Sequence, residues 1–396
     1  MNTKQLIQLN DNNVMSTYGR FPISIVRGEG AKLYDEEGKE YIDFAAGIGT
    51  SSIGHAHPKL VAAVSEQAGK VCHSSNLYYT EPAAKLAEIL CQRAGMKKVF
   101  FANSGAEANE GAIKLARKYS SDKYGEGRGT VVSLMNSFHG RTMTTITATG
   151  QPGHHTSFYP FPTGHRYAIA NDLGSVQNAC GSDTCAVIME LVQGEGGVLP
   201  LTPEFVRDVA AFCKARDLLL ILDEVQTGIG RTGRFFAFQA MGVQPDVVTF
   251  AKGVAGGLPI GGFLANETCA DVLTPGTHGA TFGGNAVAAA AALAVMAVLS
   301  DEVIRQVNEK GAYIRAQVDG MGIPFLAQTR GLGLMIGIPV TNGKCKELAA
   351  TLNGAGLLTL TAGADALRFL PPLTITQTEM DAGLAIFKKV MEEAAQ

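Results

Sequence analysis

Apolar runs and amphipathic stretches alternate through the middle of the chain. Their order predicts a helix over Glu81–Ala94, a strand over Lys98–Ala102, a helix over Ala106–Lys118 and a strand over Thr130–Leu134. A strand over Ala186–Glu190, a helix over Thr202–Arg216 and strands over Leu218–Leu222 and Asp246–Phe250 follow. Such alternation implies an α/β fold with a mostly parallel central sheet covered by helices on both faces. Ligands of these sheets sit beyond the carboxyl ends of the strands, so the residues at those ends matter most. After about residue 300 the texture changes: a helix over Asp301–Gln317, short strands near Gly331–Gly337 and Leu367–Leu370, and an amphipathic helix from Thr378 predict a smaller α+β domain. The hairpin-like AKLYDEEGKEYIDF near the start is expected to pack with it. The expected division is an N-terminal segment 1–45, a large domain 46–285, and a linker helix plus small domain over 286–396.

Composition narrows the function. With 396 residues the chain exceeds the size at which one core stops growing, which fits two domains. Its 33 basic and 36 acidic residues give a net charge of -3, too balanced for nucleic acid or an anionic membrane. The longest apolar run, Ala286–Leu299, is short and alanine-rich, which suits a buried or interface helix better than a membrane span. No apolar core of signal-peptide length opens the chain, and the seven cysteines are scattered without CxxC pairs. Reduced thiols in a cytoplasmic enzyme are expected, and His55 and His57 lack an evident third metal ligand.

Four strand ends carry chemistry. In TFAKGVAGGLPIGG a buried strand delivers Lys252 into a loop of small residues, either as a surface lysine with a buried stem or as a desolvated amine used as a nucleophile. Asn103-Ser104-Gly105-Ala106 opens a helix, where free backbone amides favour an anion; a serine cap with Glu107 as its capping-box partner is the plainer alternative. The strand Leu218–Leu222 ends in Asp223-Glu224, and a buried carboxylate there requires a cation or strong donors. Phe138 and Arg141 follow the strand Thr130–Leu134, offering an aromatic face and a guanidinium three residues apart. The stretch Gly228-Ile229-Gly230-Arg231-Thr232-Gly233 has the spacing of a dinucleotide fingerprint. It lacks the long helix that must follow, and its acid comes before the glycines, so nicotinamide chemistry is set aside.

A phosphate cradle, a stacking ring, a carboxylate and a lysine together are what pyridoxal phosphate requires. The motifs FFANSGAEANEGAIKLAR, NSFHGRT, QGEGGV, LDEVQTGIGRTG, FAKG, HGATFGGN and RFLPPL, in that order, make nearly the whole chain resemble a class III, fold type I aminotransferase. The resemblance is strongest to the group acting on acetylated or succinylated ornithine. It implies that Lys252 carries the cofactor, that Asp223 pairs with its ring nitrogen, and that Gly105 and Ala106 hold its phosphate. Phe138 and Val225 would take the two ring faces and Gln226 the phenolic oxygen. It implies that Thr281 reaches the phosphate of a neighbouring subunit, and hence a homodimer with shared active sites. Arg141 would bind the far carboxylate of small-molecule substrates, and Arg368 the near carboxylate of glutamate or 2-oxoglutarate. Glu195 would cover Arg368 when no near carboxylate is present. Tyr18 matches a substrate-side tyrosine, while Ile48 stands where enzymes acting on free ornithine place a second one. Ala280 replaces a serine that helps hold the acyl group in relatives. Succinylornithine, ornithine and 4-aminobutyrate remain alternative donors, and an aminomutase is the alternative of a different class.

Overall fold

The structure, a computed structural model, describes residues 1–396. Seven strands form the central sheet, in the spatial order Lys98–Ala102, Gly261–Ala265, Val247–Phe250, Leu219–Asp223, Thr184–Met189, Thr130–Leu134 and His165–Ala168. Every pairing from Val247–Phe250 to His165–Ala168 is parallel, whereas Gly261–Ala265 runs antiparallel to both of its neighbours. Leu219–Asp223 and Val247–Phe250 are buried along their whole length, so neither face needs polar residues. Leu220, Leu222, Val248 and Phe250 point into one core, and Leu219, Ile221 and Val247 into the core beneath the helix Gly105–Tyr124. Each fully buried side chain of this kind contributes about 1.5–3 kcal/mol.

Two strands of this sheet escape the hydrophobic pattern. His165–Ala168 is short and half polar. Gly261–Ala265 begins with two glycines that read as loop, yet the sheet requires them: a Cβ at Gly261 would stand 2.7 Å from the Ser104 carbonyl oxygen, and one at Gly262 would strike that of Phe100.

Two smaller sheets flank the large one. Arg330–Leu332, Met335–Pro339, Ala366–Phe369 and Leu360–Ala362 form an antiparallel sheet in that order. The early hairpin pairs Lys32–Asp35 with Glu40–Asp43, and the latter strand continues in parallel onto Leu357–Leu358, which ties the beginning of the chain to its last third. The helix Ala286–Val298 is buried, capped by Asn285, which accepts from the amides of Val287 and Ala288, and it packs on the helices Pro58–Ala68 and Glu81–Ala94. No single helix is long and apolar enough to cross a membrane.

Candidate active site

A cleft of about 420 Å³ opens at the carboxyl ends of the central strands. Its wall includes Gly105, Ala106, Phe138, Arg141, Asp223, Val225, Gln226 and Lys252, which come from four strand ends. The surface alternative for Lys252 therefore gives way to a place inside the cleft.

Lys252 follows the strand Val247–Phe250 directly, with φ of 44°, a left-handed conformation costly for any residue with a Cβ. Ala251 and Gly253 on either side are small and buried. Burial drives the Lys252 amine below its ordinary pKa; the carboxylates of Glu195, Asp223 and Glu190 oppose this, and Arg368 reinforces it. The nitrogen thus gains in its neutral, nucleophilic form.

Asp223 is 3% exposed and has no lysine or arginine partner. Its Oδ2 accepts from Asn109 Nδ2 at 2.7 Å and lies 2.8 Å from His139 Nδ1, while Oδ1 accepts from the Val225 amide at 3.0 Å. Asn109 sits on the helix Gly105–Tyr124, four residues after its first, and donates also to the His139 carbonyl at 2.8 Å. Asn109 and His139 belong to the quoted motifs but were given no role from the sequence. The usable signal is a polar side chain in the first turns of a helix whose buried residues over 108–116 are otherwise alanine, glycine, isoleucine and leucine.

At the start of that helix Ser104 Oγ accepts from the Glu107 amide at 3.2 Å, and Glu107 reaches back to the Asn103 amide at 2.6 Å. The serine cap holds, but Glu107 closes on Asn103 and not on Ser104, so the reciprocal capping box is not formed; the cap leaves the amides of Gly105 and Ala106, which line the cleft, without intrahelical acceptors. An anion-binding helix start and a serine cap thus coexist here. A Cβ on Gly105 would stand 2.7 Å from Val225 Cγ1, so the glycine lets this helix end close against the segment after Asp223.

Phe138 donates its amide to Glu190 Oε1 at 2.8 Å, and the Arg141 guanidinium lies 5.4 Å from the centre of its ring. Glu190, which the sequence reading passed over, is buried and accepts at its other oxygen from the Gly194 amide at 3.1 Å. Burial pushes its carboxyl well above the ordinary range.

Behind the cleft Arg368, 2% exposed, grips Glu195 through Nη1–Oε1 at 2.6 Å and Nη2–Oε2 at 3.2 Å. Gln226 joins them: its Oε1 accepts from Arg368 at 3.0 Å and its Nε2 donates to Glu195 at 3.3 Å. Burial pushes Glu195 up, but the charge and hydrogen bonds of Arg368 outweigh it and hold the carboxyl below the usual range. A Cβ on Gly194 would collide with the Gln226 amide group, so glycine is required next to Glu195.

Arg368 and Glu195 do not line the cleft themselves and meet it through Gln226, and two further expected site residues stay outside altogether. Thr281 is exposed in a loop whose Ala280 and Gly283 carbonyls are held by Asn76, and Tyr18 is 74% exposed; neither lines the cleft. Ile48 is also exposed, with φ of 63°.

The donor set fits pyridoxal phosphate. Free amides at a helix start suit a phosphate, a carboxylate held by Asn109, His139 and the Val225 amide suits a ring nitrogen, and a desolvated lysine lies in the same cleft. The family profile described as aminotransferase class-III matches residues 14–391. An acetylornithine aminotransferase of Haemophilus ducreyi is 47% identical over 395 residues, covering 99% of this chain and 100% of its own. A succinylornithine transaminase of Citrobacter koseri is 44% identical over 388 residues, 96% of each chain. Among solved structures, an acetylornithine aminotransferase from Elizabethkingia anophelis aligns with a TM-score of 0.88 at 31% identity, covering 99% of this chain and 100% of its own. The ornithine aminotransferase of Toxoplasma gondii ME49 aligns with a TM-score of 0.95 at 30% identity, covering 100% and 96%. The backbone is thus shared across different donors, and what it specifies is the chemistry common to them: the chain belongs to the class III aminotransferases, pyridoxal-phosphate-dependent enzymes of fold type I.

Proposed function

We propose that the protein transfers the δ-amino group of N2-acetylornithine to 2-oxoglutarate in two alternating half-reactions, giving N-acetylglutamate 5-semialdehyde and glutamate. The observation that carries this reading is the internal pair of Arg368 and Glu195 beside the cleft. A donor with no carboxylate near the reacting nitrogen leaves the pair closed, and glutamate or 2-oxoglutarate opens it by replacing Glu195 on Arg368. Arg141, exposed at the cleft wall, takes the far carboxylate of either substrate.

In this reading Gly105 and Ala106 hold the cofactor's phosphate, Phe138 and Val225 its ring faces, Gln226 its phenolic oxygen and Asp223 its ring nitrogen. Bound there, the cofactor supplies an electron sink for the charge left when the amine-bearing carbon loses its proton. Lys252 Nζ takes that proton and delivers it, a role its lowered pKa suits. Asn109 and His139 hold Asp223 Oδ2 and so orient its carboxylate toward the ring.

Relatives up to 47% identical that carry the acetylornithine name favour that donor, and Ile48 in place of a second tyrosine argues against free ornithine. The proposed assembly is a cytoplasmic homodimer serving arginine biosynthesis, with Thr281 reaching the site of the neighbouring subunit and Tyr18 on the substrate side. Their exposure outside the chain's own cleft supports this, as do Leu77, Tyr78, Tyr79 and Phe282, large side chains left open to solvent. Residues 46–285 would form the cofactor-binding domain, with 1–45 and the chain beyond the linker helix at 286 forming the smaller one.

An absorbance scan of the purified holoenzyme tests the reading. N2-acetylornithine should deplete the cofactor's visible band, ornithine and 4-aminobutyrate should leave it, and 2-oxoglutarate should restore it. Equal depletion by ornithine, or recovery without 2-oxoglutarate as an aminomutase would give, overturns it.

A further inference from the structure

The glycine-rich stretch 228–233, which imitates a dinucleotide fingerprint, is a junction. A Cβ at Gly228 would stand 2.8 Å from the Glu224 carbonyl oxygen, and Gly233, at φ of 85°, fits against Asn308 of the helix Asp301–Asp319, whose Nδ2 donates to the Gly233 carbonyl at 3.2 Å. Between these glycines Arg231 is 3% exposed. Its Nη1 donates to two carbonyls, that of Leu334 at 3.0 Å and that of Pro371 at 2.6 Å, and its own carbonyl accepts from the Leu334 amide at 3.1 Å.

Those two carbonyls occupy a particular place. The strands Met335–Pro339 and Ala366–Phe369 pair with Ile336 opposite Phe369, so continuing the antiparallel register puts Leu334 opposite Pro371, just past the last pair. Arg231 therefore closes the open end of the ladder. The same ladder pairs Gly337 with Arg368, three residues before Pro371. On its other side Arg231 lies five residues beyond Gln226 and eight beyond Asp223.

A buried guanidinium held by carbonyls is a costly device. No carboxylate pairs with it, its Nη2 has no partner, and burial pushes it down to about 9, with Asp43 opposing through charge alone. Asp43 is itself engaged by His55 Nε2 at 2.7 Å and by the amides of Ala45 and Ala46. A mere packing element would be served by an apolar side chain. What an apolar side chain cannot supply is a fixed link between the segment after Asp223 and the end of the strand that presents Arg368.

From this geometry we infer that Arg231 is a positioning residue for Arg368, setting the distance between the near-carboxylate site and the ring-nitrogen acid. The inference rests on the proposed role of Arg368.

The test compares Arg231→Met and Arg231→Lys with the unaltered holoenzyme in separate half-reactions, one with L-glutamate and one with N2-acetylornithine. The half-saturating glutamate concentration should rise about tenfold or more in Arg231→Met, the scale set by misplacing a hydrogen bond to a charged group, with N2-acetylornithine changing less than about threefold. Arg231→Lys, which keeps a point donor, should recover part of the loss, and it carries the comparison if Arg231→Met fails to fold. Hydrogen exchange gives a readout independent of turnover: amides of 366–370 should lose protection while those of 219–223 keep theirs. Equal effects on both substrates, no effect on glutamate, or exchange rising evenly across the chain would overturn the inference. Failure of the unaltered enzyme to respond to L-glutamate would instead refute the proposed function.

Discussion

Replacing Glu195 by glutamine separates the two substrates that one site must serve. In the free protein Arg368 is 2% exposed, and its two terminal nitrogens are held by Glu195 at 2.6 and 3.2 Å and by Gln226 at 3.0 Å. A dicarboxylate that binds Arg368 must first displace Glu195, so it gains only the difference between two charge-assisted contacts. Glutamine leaves one neutral acceptor in place of a carboxylate. Hydrogen bonds to charged groups contribute about 1.5–3 kcal/mol, so release from this competition should tighten L-glutamate binding by about ten- to a hundredfold. Binding of N2-acetylornithine should weaken, because Arg368 then stays uncompensated beside it. Stability should fall by about 1–2 kcal/mol, less than the ~3–5 kcal/mol of a fully buried pair, since the Glu195 side chain keeps 29% exposure. The pH dependence has a definite sign. Arg368 holds the Glu195 carboxyl below its unfolded value, so the pair's contribution is complete above the ordinary carboxylate range and vanishes as pH falls through the lowered value. Absorbance titrations with each substrate, and thermal melts across that range, measure these effects. The reasoning is refuted if glutamate affinity is unchanged or falls with that of the donor, or if the two proteins differ in stability as much in acid as at neutral pH.

Three further outcomes are expected. Asn109→Leu removes one of the two side chains that hold Asp223 Oδ2, leaving His139 Nδ1 alone there, and takes the Asn109 donor from the His139 carbonyl, so cofactor affinity should fall about tenfold and stability by about 2–3 kcal/mol, read by dialysis against cofactor and by denaturant titration. Burial pushes Glu224, which accepts from the amides of Ala237 and Phe238, up to about 7; the folded state then holds its proton where the unfolded chain has lost it, so stability should drop as pH rises from the ordinary carboxylate range to about 7. Glu224→Gln should flatten that part of the stability curve, and an unchanged slope would locate it elsewhere. Gly111→Ala places a Cβ against the Phe263 ring and 3.0 Å from His278 Nε2, where overpacking of about 1–3 kcal/mol exceeds the gain of up to about 1 kcal/mol in helix propensity, so the melting temperature should fall.

The sheet was legible where burial on both faces leaves an unbroken apolar run, as at Leu219–Asp223 and Val247–Phe250. It was illegible at Gly261–Ala265, where glycine serves close backbone approach rather than a turn, a distinction that depends on neighbours remote in sequence. The residues after four strands could be named because charged and aromatic side chains stand out against apolar runs, and the cleft does gather Lys252, Asp223, Phe138 and Gly105. Asn109, His139 and Glu190 line the cleft but went unnoticed because the groups they hold, Asp223 and the Phe138 amide, lie 52 to 114 positions away in the chain. The sequence reading saw Arg231 only inside a false fingerprint, since the two carbonyls it holds lie 103 and 140 positions away. Thr281 and Tyr18 are exposed and outside the cleft, so their expected roles rest on the family motifs and not on contacts within the chain.

The single reversed strand, Gly261–Ala265, sets the width of the slot. It separates Lys98–Ala102 from Val247–Phe250 while leaving those two pointing the same way, so the free amides at Gly105 and the amine of Lys252 emerge on one rim two strand spacings apart. That gap of about 10 Å is a property of hydrogen-bonded backbone and not of any side chain. Residues along the rim can therefore be exchanged to suit a different amine while the anchor points at either end stay fixed, as they would on a ruler.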